Sequence, residues 1–306
     1  MTIPRVILRG AVSASGRTFA TQSTSADANT ARYCSDLVRR YDYDHYLASI
    51  FVPAQAREAY WAIRSLNIEL SLVHENVKEI AIRKMRLQWW RDALDLVYKG
   101  QPPNQPVAQA LAKAVAEGAL SRIWLKRLID EREKRLTDVQ FGTLHDLEQY
   151  AENTAGSLIN LQIESLGLRD LHADHAASHI GKAIGIVTML RGTPFHIQSR
   201  QFYLPSEVTA KHGIVTEELF RHGPSDRLAD AVFEIATLAN DHMITARSFA
   251  KEIPHAAYPA LLGTVTCDVY LKKLERVNFN LFDKSLFKKD LVLPFKLWRS
   301  SRTGVF

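Results

Sequence analysis

Residues 178–205, SHIGKAIGIVTMLRGTPFHIQSRQFYLP, decide the fold class. Ile180, Ala183, Ile184 and Val187 recur at i, i+3, i+4 and i+7, the spacing that lines one face of an α-helix with apolar side chains. Ala177, Gly181 and Gly185 form a second track at four-residue spacing, small enough for another helix to approach closely. The helix runs through Leu190 and Arg191 and is expected to stop at Gly192-Thr193-Pro194, because proline lacks the amide N–H and its ring clashes with the preceding turn. The stretch closes on Phe202-Tyr203-Leu204-Pro205.

The same period extends outward in both directions. Toward the N-terminus, Tyr33 to Arg40 reads as a short amphipathic helix, and Pro53 suits the first turn of a helix running from Ala54 to about Val73. In that helix Ala59, Ala62, Ile63, Leu66, Leu70 and Val73 are in register. Asn76 to Tyr98 continues the pattern until Gly100 and Pro102-Pro103 break it. Pro106 to Glu117 and Ser121 to Leu136 follow, the latter carrying the run Asp130-Glu131-Arg132-Glu133-Lys134-Arg135, which reads as a solvated face of mixed charge. Leu144 to Leu166 reads as one long helix closed by Gly167. Toward the C-terminus, Thr216 to Arg221, Asp226 to Glu252 and Tyr258 to Asn278 are helical in pattern. Period-two alternation is absent and no repeat recurs, so the expected architecture is a single all-α domain. The expected organisation is a leader over 1–26, the helical domain over 31–283 and a basic, aromatic segment over 284–306.

Composition bounds the rest. A chain of 306 residues, 46% hydrophobic and 24% charged, can bury a large core. The formal charge is +6, but the leader supplies Arg5, Arg9 and Arg17 with no acid, which leaves +3 for the remainder. The leader is rich in Ser, Thr and Ala, and sets Ile3, Val6 and Ile7 near Arg5 and Arg9 as an amphipathic helix would. That is the composition of a mitochondrial transit peptide, with Arg17-Thr18-Phe19-Ala20 as its processing site; a tail without an address is the alternative. No apolar run reaches the roughly 18 residues of a membrane span. Cys34 and Cys267 fit neither a disulfide framework nor a zinc motif and read as free thiols. A nucleic-acid partner has only the weak support of net charge, with no recognition motif beside it, and none is expected.

Four segments, in order, carry a family resemblance. Asp44-His45-Tyr46-Leu47-Ala48-Ser49-Ile50-Phe51-Val52-Pro53, Tyr150-Ala151-Glu152-Asn153-Thr154-Ala155-Gly156-Ser157, the Leu190-Arg191 to Tyr203-Leu204-Pro205 frame, and Tyr270-Leu271-Lys272-Lys273-Leu274-Glu275-Arg276 together resemble the squalene and phytoene synthase family. The resemblance implies an isoprenoid-synthase-like helical bundle with a central cavity. It also implies two DxxxD motifs on facing helices, whose carboxylates hold Mg²⁺ against a substrate diphosphate. In this chain the four aspartate positions fall on Asn67, Ser71, Gly192 and His196. Glu69 is about 200° around the helix from Asn67 and faces away, which leaves Glu75 as one acid on the motif face. The resemblance makes Arg64, Tyr150, Arg191 and Tyr203 pocket residues, read either as ligand contacts or as members of a packed core with paired arginines.

Two further features compete for chemistry. His175 and His179 stand at i, i+4, a spacing that can hold Zn²⁺, yet no third ligand is specified; capping by Asp174 with both histidines satisfied by polar neighbours is the plainer account. Residues 284–306 set Lys284, Lys288, Lys289, Lys296, Arg299 and Arg302 among Leu286, Phe287, Leu291, Leu293, Phe295, Leu297 and Trp298, a pattern that suits an anionic membrane surface or a tail docked on the core. Within the family, the segments 130–134, 148–154 and 171–183 resemble the branch formed by mitochondrial complex I assembly factors. That closer resemblance implies a non-catalytic matrix protein, peripheral on the inner membrane and without a cofactor, acting early on complex I subunits or assembly intermediates. The alternative is an isoprenoid- or lipid-binding protein, or a prenyltransferase of the synthase type.

Overall fold

A computed structural model describes residues 16–118, 120–137 and 140–304. Ile3, Val6 and Ile7, on which the amphipathic reading of the leader rests, lie outside those residues. The described chain is helical almost throughout, with no strand. Helix α1 (Gly16–Tyr41) contains the short helix expected from Tyr33, and α2 (Tyr43–Ser49) turns off it at Asp42. Next come α3 (Ala54–Asn76), α4 (Ile80–Tyr98), α5 (Pro106–Gly118) and α6 (Arg122–Lys134). Their apolar stripes bury Ile63, Leu66, Leu70, Leu94, Leu111, Leu125, Leu128 and Ile129 in a common core, which is the packing that amphipathic periodicity dictates.

The segment expected as one helix over 144–166 has three parts. Helix α7 (Leu144–Ala151) opens with a capping box, the Thr143 hydroxyl accepting from the Asp146 amide while the Asp146 carboxylate accepts from the Thr143 amide. A π turn over Glu152–Gly156 follows, and α8 (Ser157–Ser165) completes the run. Gly167, at φ +76°, ends it as expected.

Helix α9 (Leu171–Gln198) is the axis of the second half. The small-residue track does what its spacing implies. A Cβ on Gly181 would lie 2.3 Å from Gly156 Cα, and one on Gly185 would lie 2.3 Å from Ala151 Cβ, so α9 rests backbone to backbone on α7 and the π turn. The expected stop at Gly192-Thr193-Pro194 does not occur. Pro194 sits one turn from the C-terminus, where its missing amide removes a single helical bond, and Thr193 Oγ1 donates to Met189 O at 2.9 Å in that same turn. The helix ends instead at Ser199 and Arg200, the latter at φ +55°.

Beyond it, α10 (Ser206–Lys211), α11 (Thr216–His222), α12 (Asp226–Ser248), α13 (Tyr258–Leu261) and α14 (Gly263–Arg276) enclose the other face of α9. Ile186, Leu190, Ile235, Ala239, Met243 and Leu274 form their shared core. Residues 284–306 do not form one continuous helix: Pro294 sits in the first turn of α15 (Leu293–Thr303), where its missing amide removes no helical bond. That helix buries Leu293 and Leu297 against Ala48 and Leu262.

Candidate functional site

The positions singled out on α3 and α9 face the same region, between the C-terminal halves of the two helices. On α3, Ala62, Ile63 and Leu66 point into the core, which leaves Asn67 and Ser71 on the inner edge. Ser71 Oγ donates back to Asn67 O at 2.9 Å. Asn67 Oδ1 accepts from Arg132 Nη2 at 2.6 Å, and Arg132 Nη1 donates to Tyr150 OH at 3.1 Å. Arg132 thereby ties α6 to α3 and α7 at this point.

On α9, Gly192 leaves the space that the His196 ring uses: a Cβ there would stand 2.9 Å from His196 Nε2. The His196 ring packs edge-on against Tyr203 at 4.5 Å between centroids. His74, at the end of α3, completes the ring of residues. Burial and the neighbouring charges of Arg83, His196 and Arg132 push its imidazole down to about 4, and burial likewise lowers His196. Tyr203 is raised, by burial first and then by Tyr150, with Arg83 opposing.

A Mg²⁺–diphosphate cluster needs hard, anionic oxygen ligands. Asn67 and Ser71 present a neutral amide and a hydroxyl, Gly192 presents nothing, and His196 presents an imidazole. A guanidinium stands where positive charge would have to be held. Glu75 is exposed. Glu69 turns to the other side of α3, hydrogen-bonded to Tyr33 and lining a cleft of about 270 Å³ with Trp89 and Trp90. This donor set does not fit Mg²⁺.

The two arginines expected at a pocket are paired with acids. Arg64 donates through Nε and Nη2 to Asp42 Oδ2, the Nε contact at 2.8 Å, and His45 Nδ1 lies 2.8 Å from Asp42 Oδ1. Burial works to raise the Asp42 carboxyl, but Arg64 and then His45 hold it well below the usual carboxylate range. Arg191 reaches Asp44 at 3.3 Å and stacks over Tyr270. Both arginines therefore clamp the α1–α2 corner onto the bundle.

His175 and His179 make a packed polar cluster. Their rings are 5.2 Å apart, but the His179 Nδ1 partner is His242 Nδ1 at 3.0 Å, and His242 Nε2 lies 2.7 Å from Glu148 Oε1. With His179 donating to His242 and His242 donating to Glu148, each of the two contacts pairs one donor with one acceptor. Helix α9 is capped by Asp170, which accepts from the Ala173 amide at 2.9 Å, and not by Asp174. Among the described residues no group of three His, Cys, Asp or Glu side chains converges as metal ligands. Cys34 and Cys267 are buried and unbridged, and burial pushes their thiols up to about 11 and about 12.

Arg132 is the residue that the sequence reading missed. It was read as part of a solvated charge run, and the structure overturns that reading. Glu131 is 5% exposed and accepts from Asn153 Nδ2 at 3.0 Å, Arg132 faces Asn67, and Asp130 and Glu133 pair with Arg91 of α4. The signal was the stripe Leu125, Leu128, Ile129, Arg132, which repeats the i, i+3, i+4, i+7 spacing and carries Arg132 onto the inner face.

Comparison with known proteins agrees with this fold. The squalene/phytoene synthase family model matches residues 38–296. The NADH dehydrogenase (ubiquinone) complex I assembly factor 6 of Bos taurus is 45% identical over 288 residues, covering 94% of this chain and 86% of that protein. Its Mus musculus counterpart is 47% identical over 269 residues, covering 88% and 81%. A dehydrosqualene synthase crystal structure aligns with a TM-score of 0.79 at 19% identity, over 91% of this chain and 97% of that one, and shares the fold. The central π turn, the small-residue track of α9 and the Leu-Arg to Tyr-Leu-Pro frame thus sit on a scaffold whose lineage is plain: the chain belongs to the squalene/phytoene synthase family.

Proposed function

We propose that this protein is a non-catalytic assembly factor for mitochondrial complex I, acting early in assembly from the matrix face of the inner membrane. The observation that carries the reading is the Arg132–Asn67 contact: a guanidinium stands at the point where a synthase needs carboxylates around Mg²⁺. Asn67, Ser71, Gly192 and His196 are on this reading the remains of a metal–diphosphate site. The relatives at 45% and 47% identity, named as complex I assembly factors, support the role. Purified protein given farnesyl or geranylgeranyl diphosphate with Mg²⁺ is expected to release no pyrophosphate, and cells lacking the protein are expected to accumulate partial complex I. Turnover in the first assay, or intact complex I in the second, would remove the proposal.

The membrane side of the proposal rests on α15 and the segment before it. Leu293 and Leu297 pin the helix to the core, so the segment docks as one of the two sequence readings requires. Leu291, Val292, Phe295 and Trp298 remain exposed, Leu291 at 91%, beside the exposed Lys284, Lys288, Lys289, Arg299 and Arg302. No helix among the described residues is long and apolar enough to cross a membrane. An apolar patch rimmed with cations suits the surface of an anionic bilayer. Deleting 284–306 would also strip buried side chains from the core, so Phe295→Ser with Trp298→Ser is the cleaner variant. It is expected to float with cardiolipin-containing vesicles about tenfold less than the parent. Equal flotation of the two proteins would exclude α15 as the contact.

A further inference from the structure

Helix α4 carries two apolar faces, and the bundle uses one of them. Leu87, Trp90, Leu94 and Val97 recur at i, i+3, i+7 and i+10 and are buried in the core shared with α3, α5 and α6. Ile82, Met85, Trp89 and Leu96 stand at i, i+3, i+7 and i+14, a second seam of heptad spacing turned away from that core. Their exposures are 45%, 71%, 43% and 36%. The seam runs for about 21 Å at 1.5 Å per residue. A contiguous apolar run on an exposed helix face marks a contact surface, and Met and Trp are among the residue types that such surfaces favour.

The order of residues along the seam says what covers it. Outward from Trp89 the two directions mirror each other: Arg86 and Asp92 stand three residues to either side, and Ile82 and Leu96 stand seven to either side. Two such helices crossing antiparallel at Trp89 set Arg86 of each copy opposite Asp92 of the other, and Ile82 of each opposite Leu96 of the other. Side by side in parallel, they would set arginine against arginine and aspartate against aspartate, and like charges in register are repelled. Arg86 and Asp92 are both exposed; Asp92 accepts from Gln88 Nε2 at 2.9 Å, and neither has an ion-pair partner among the described residues. A patch complementary to itself under a half-turn is what a two-fold axis requires, because the axis presents one surface to its own copy. An unrelated partner would not call for that mirror. Beside the seam, the cleft of about 270 Å³ between Trp89, Trp90, Glu69 and Arg86 leaves room for a side chain of the other copy.

We propose that the outer face of α4 is a two-fold interface between copies of this chain. The two helices pack antiparallel with Trp89 nearest the axis. Ile82, Met85 and Leu96 supply the apolar contact, and the Arg86–Asp92 pair, formed twice, sets the direction and register.

Sedimentation velocity of the full chain, diluted from high micromolar to nanomolar concentration, tests the proposal. A dimer that dissociates on dilution is expected. Met85→Glu alters the most exposed residue of the seam and sets an acid from each copy in it, which should weaken the dimer by about a hundredfold or more. Arg86→Asp and Asp92→Arg should each weaken it by about tenfold, since the axis repeats each substitution and turns two attractive contacts into repulsive ones. The double reversal, Arg86→Asp with Asp92→Arg, rebuilds the pair with its charges exchanged and should return the dimer to within about threefold of the parent. Asp92→Arg leaves the cleft beside Glu69 untouched, and a circular-dichroism melt checks that every variant is folded. A parent that stays monomeric at every concentration would overturn the proposal, as would a dimer indifferent to Met85→Glu. A double reversal weaker than either single reversal would overturn it too, because the charges would then not face each other across the axis.

Discussion

Gly181→Ala is expected to destabilise the protein by about 3 kcal/mol or more, and Gly185→Leu to prevent folding, although both replace glycine inside a helix. In an exposed helix the sign would be opposite, since alanine is favoured over glycine by about 1 kcal/mol. What reverses it here is contact between backbones. A methyl at Gly181 would lie 2.3 Å from Gly156 Cα and 2.5 Å from Gly156 N, and one at Gly185 would lie 2.6 Å from Ala151 Cα. No side-chain rotamer can relieve an overlap with main-chain atoms, so α9 must separate from α7 and the π turn, and the apolar contacts along both must open. Urea denaturation of the parent and Gly181→Ala measures the difference. A variant more stable than the parent would show that the helices do not meet as closely as described.

The same contact marks how far the sequence could be read. Ala177, Gly181 and Gly185 announced a close helix approach, and the apolar stripe on α9 announced the core it serves, because four-residue and 3.6-residue periods are properties of one chain segment. Leu144 to Leu166 announced a helix but not its π turn: that turn places Gly156 under Gly181, a requirement set by the partner helix and written nowhere in local propensity. Pro194 misled for a related reason. A local rule counts a lost hydrogen bond and a clash, whereas its position one turn from the end, on a buried face, makes the loss small.

At the candidate site, Asn67, Ser71, Gly192 and His196 could be named from spacing, yet their partner could not. Arg132 is 65 residues from Asn67 in sequence and sat inside a run of alternating charge. Composition read that run as solvent-facing, and only its register with Leu125, Leu128 and Ile129 pointed inward. The arginines expected at the pocket, Arg64 and Arg191, were legible as buried or half-buried cations, but their acids lie on the Asp42–Asp44 corner, which reads locally as the start of a short helix.

That corner carries the second large effect. Asp42→Asn is expected to cost about 3–5 kcal/mol, because it leaves the Arg64 guanidinium, in a residue 8% exposed, without its counter-charge. Asp44→Asn, which frees the half-exposed Arg191, should cost under about 1 kcal/mol and serves as the internal contrast. The pH dependence follows from the direction of the Asp42 shift. Its carboxyl is held below the ordinary value in the folded protein, so the unfolded chain binds the proton first on acidification. The stabilisation is thus complete above the ordinary carboxylate value near about 4 and is lost progressively as pH falls toward the lowered one. Urea titrations at neutral pH and at successively lower pH should show the parent converging on Asp42→Asn while the gap to Asp44→Asn stays small. A parent–Asp42→Asn difference that does not change between neutral pH and pH about 3 would mean that the Asp42 charge contributes nothing to the clamp.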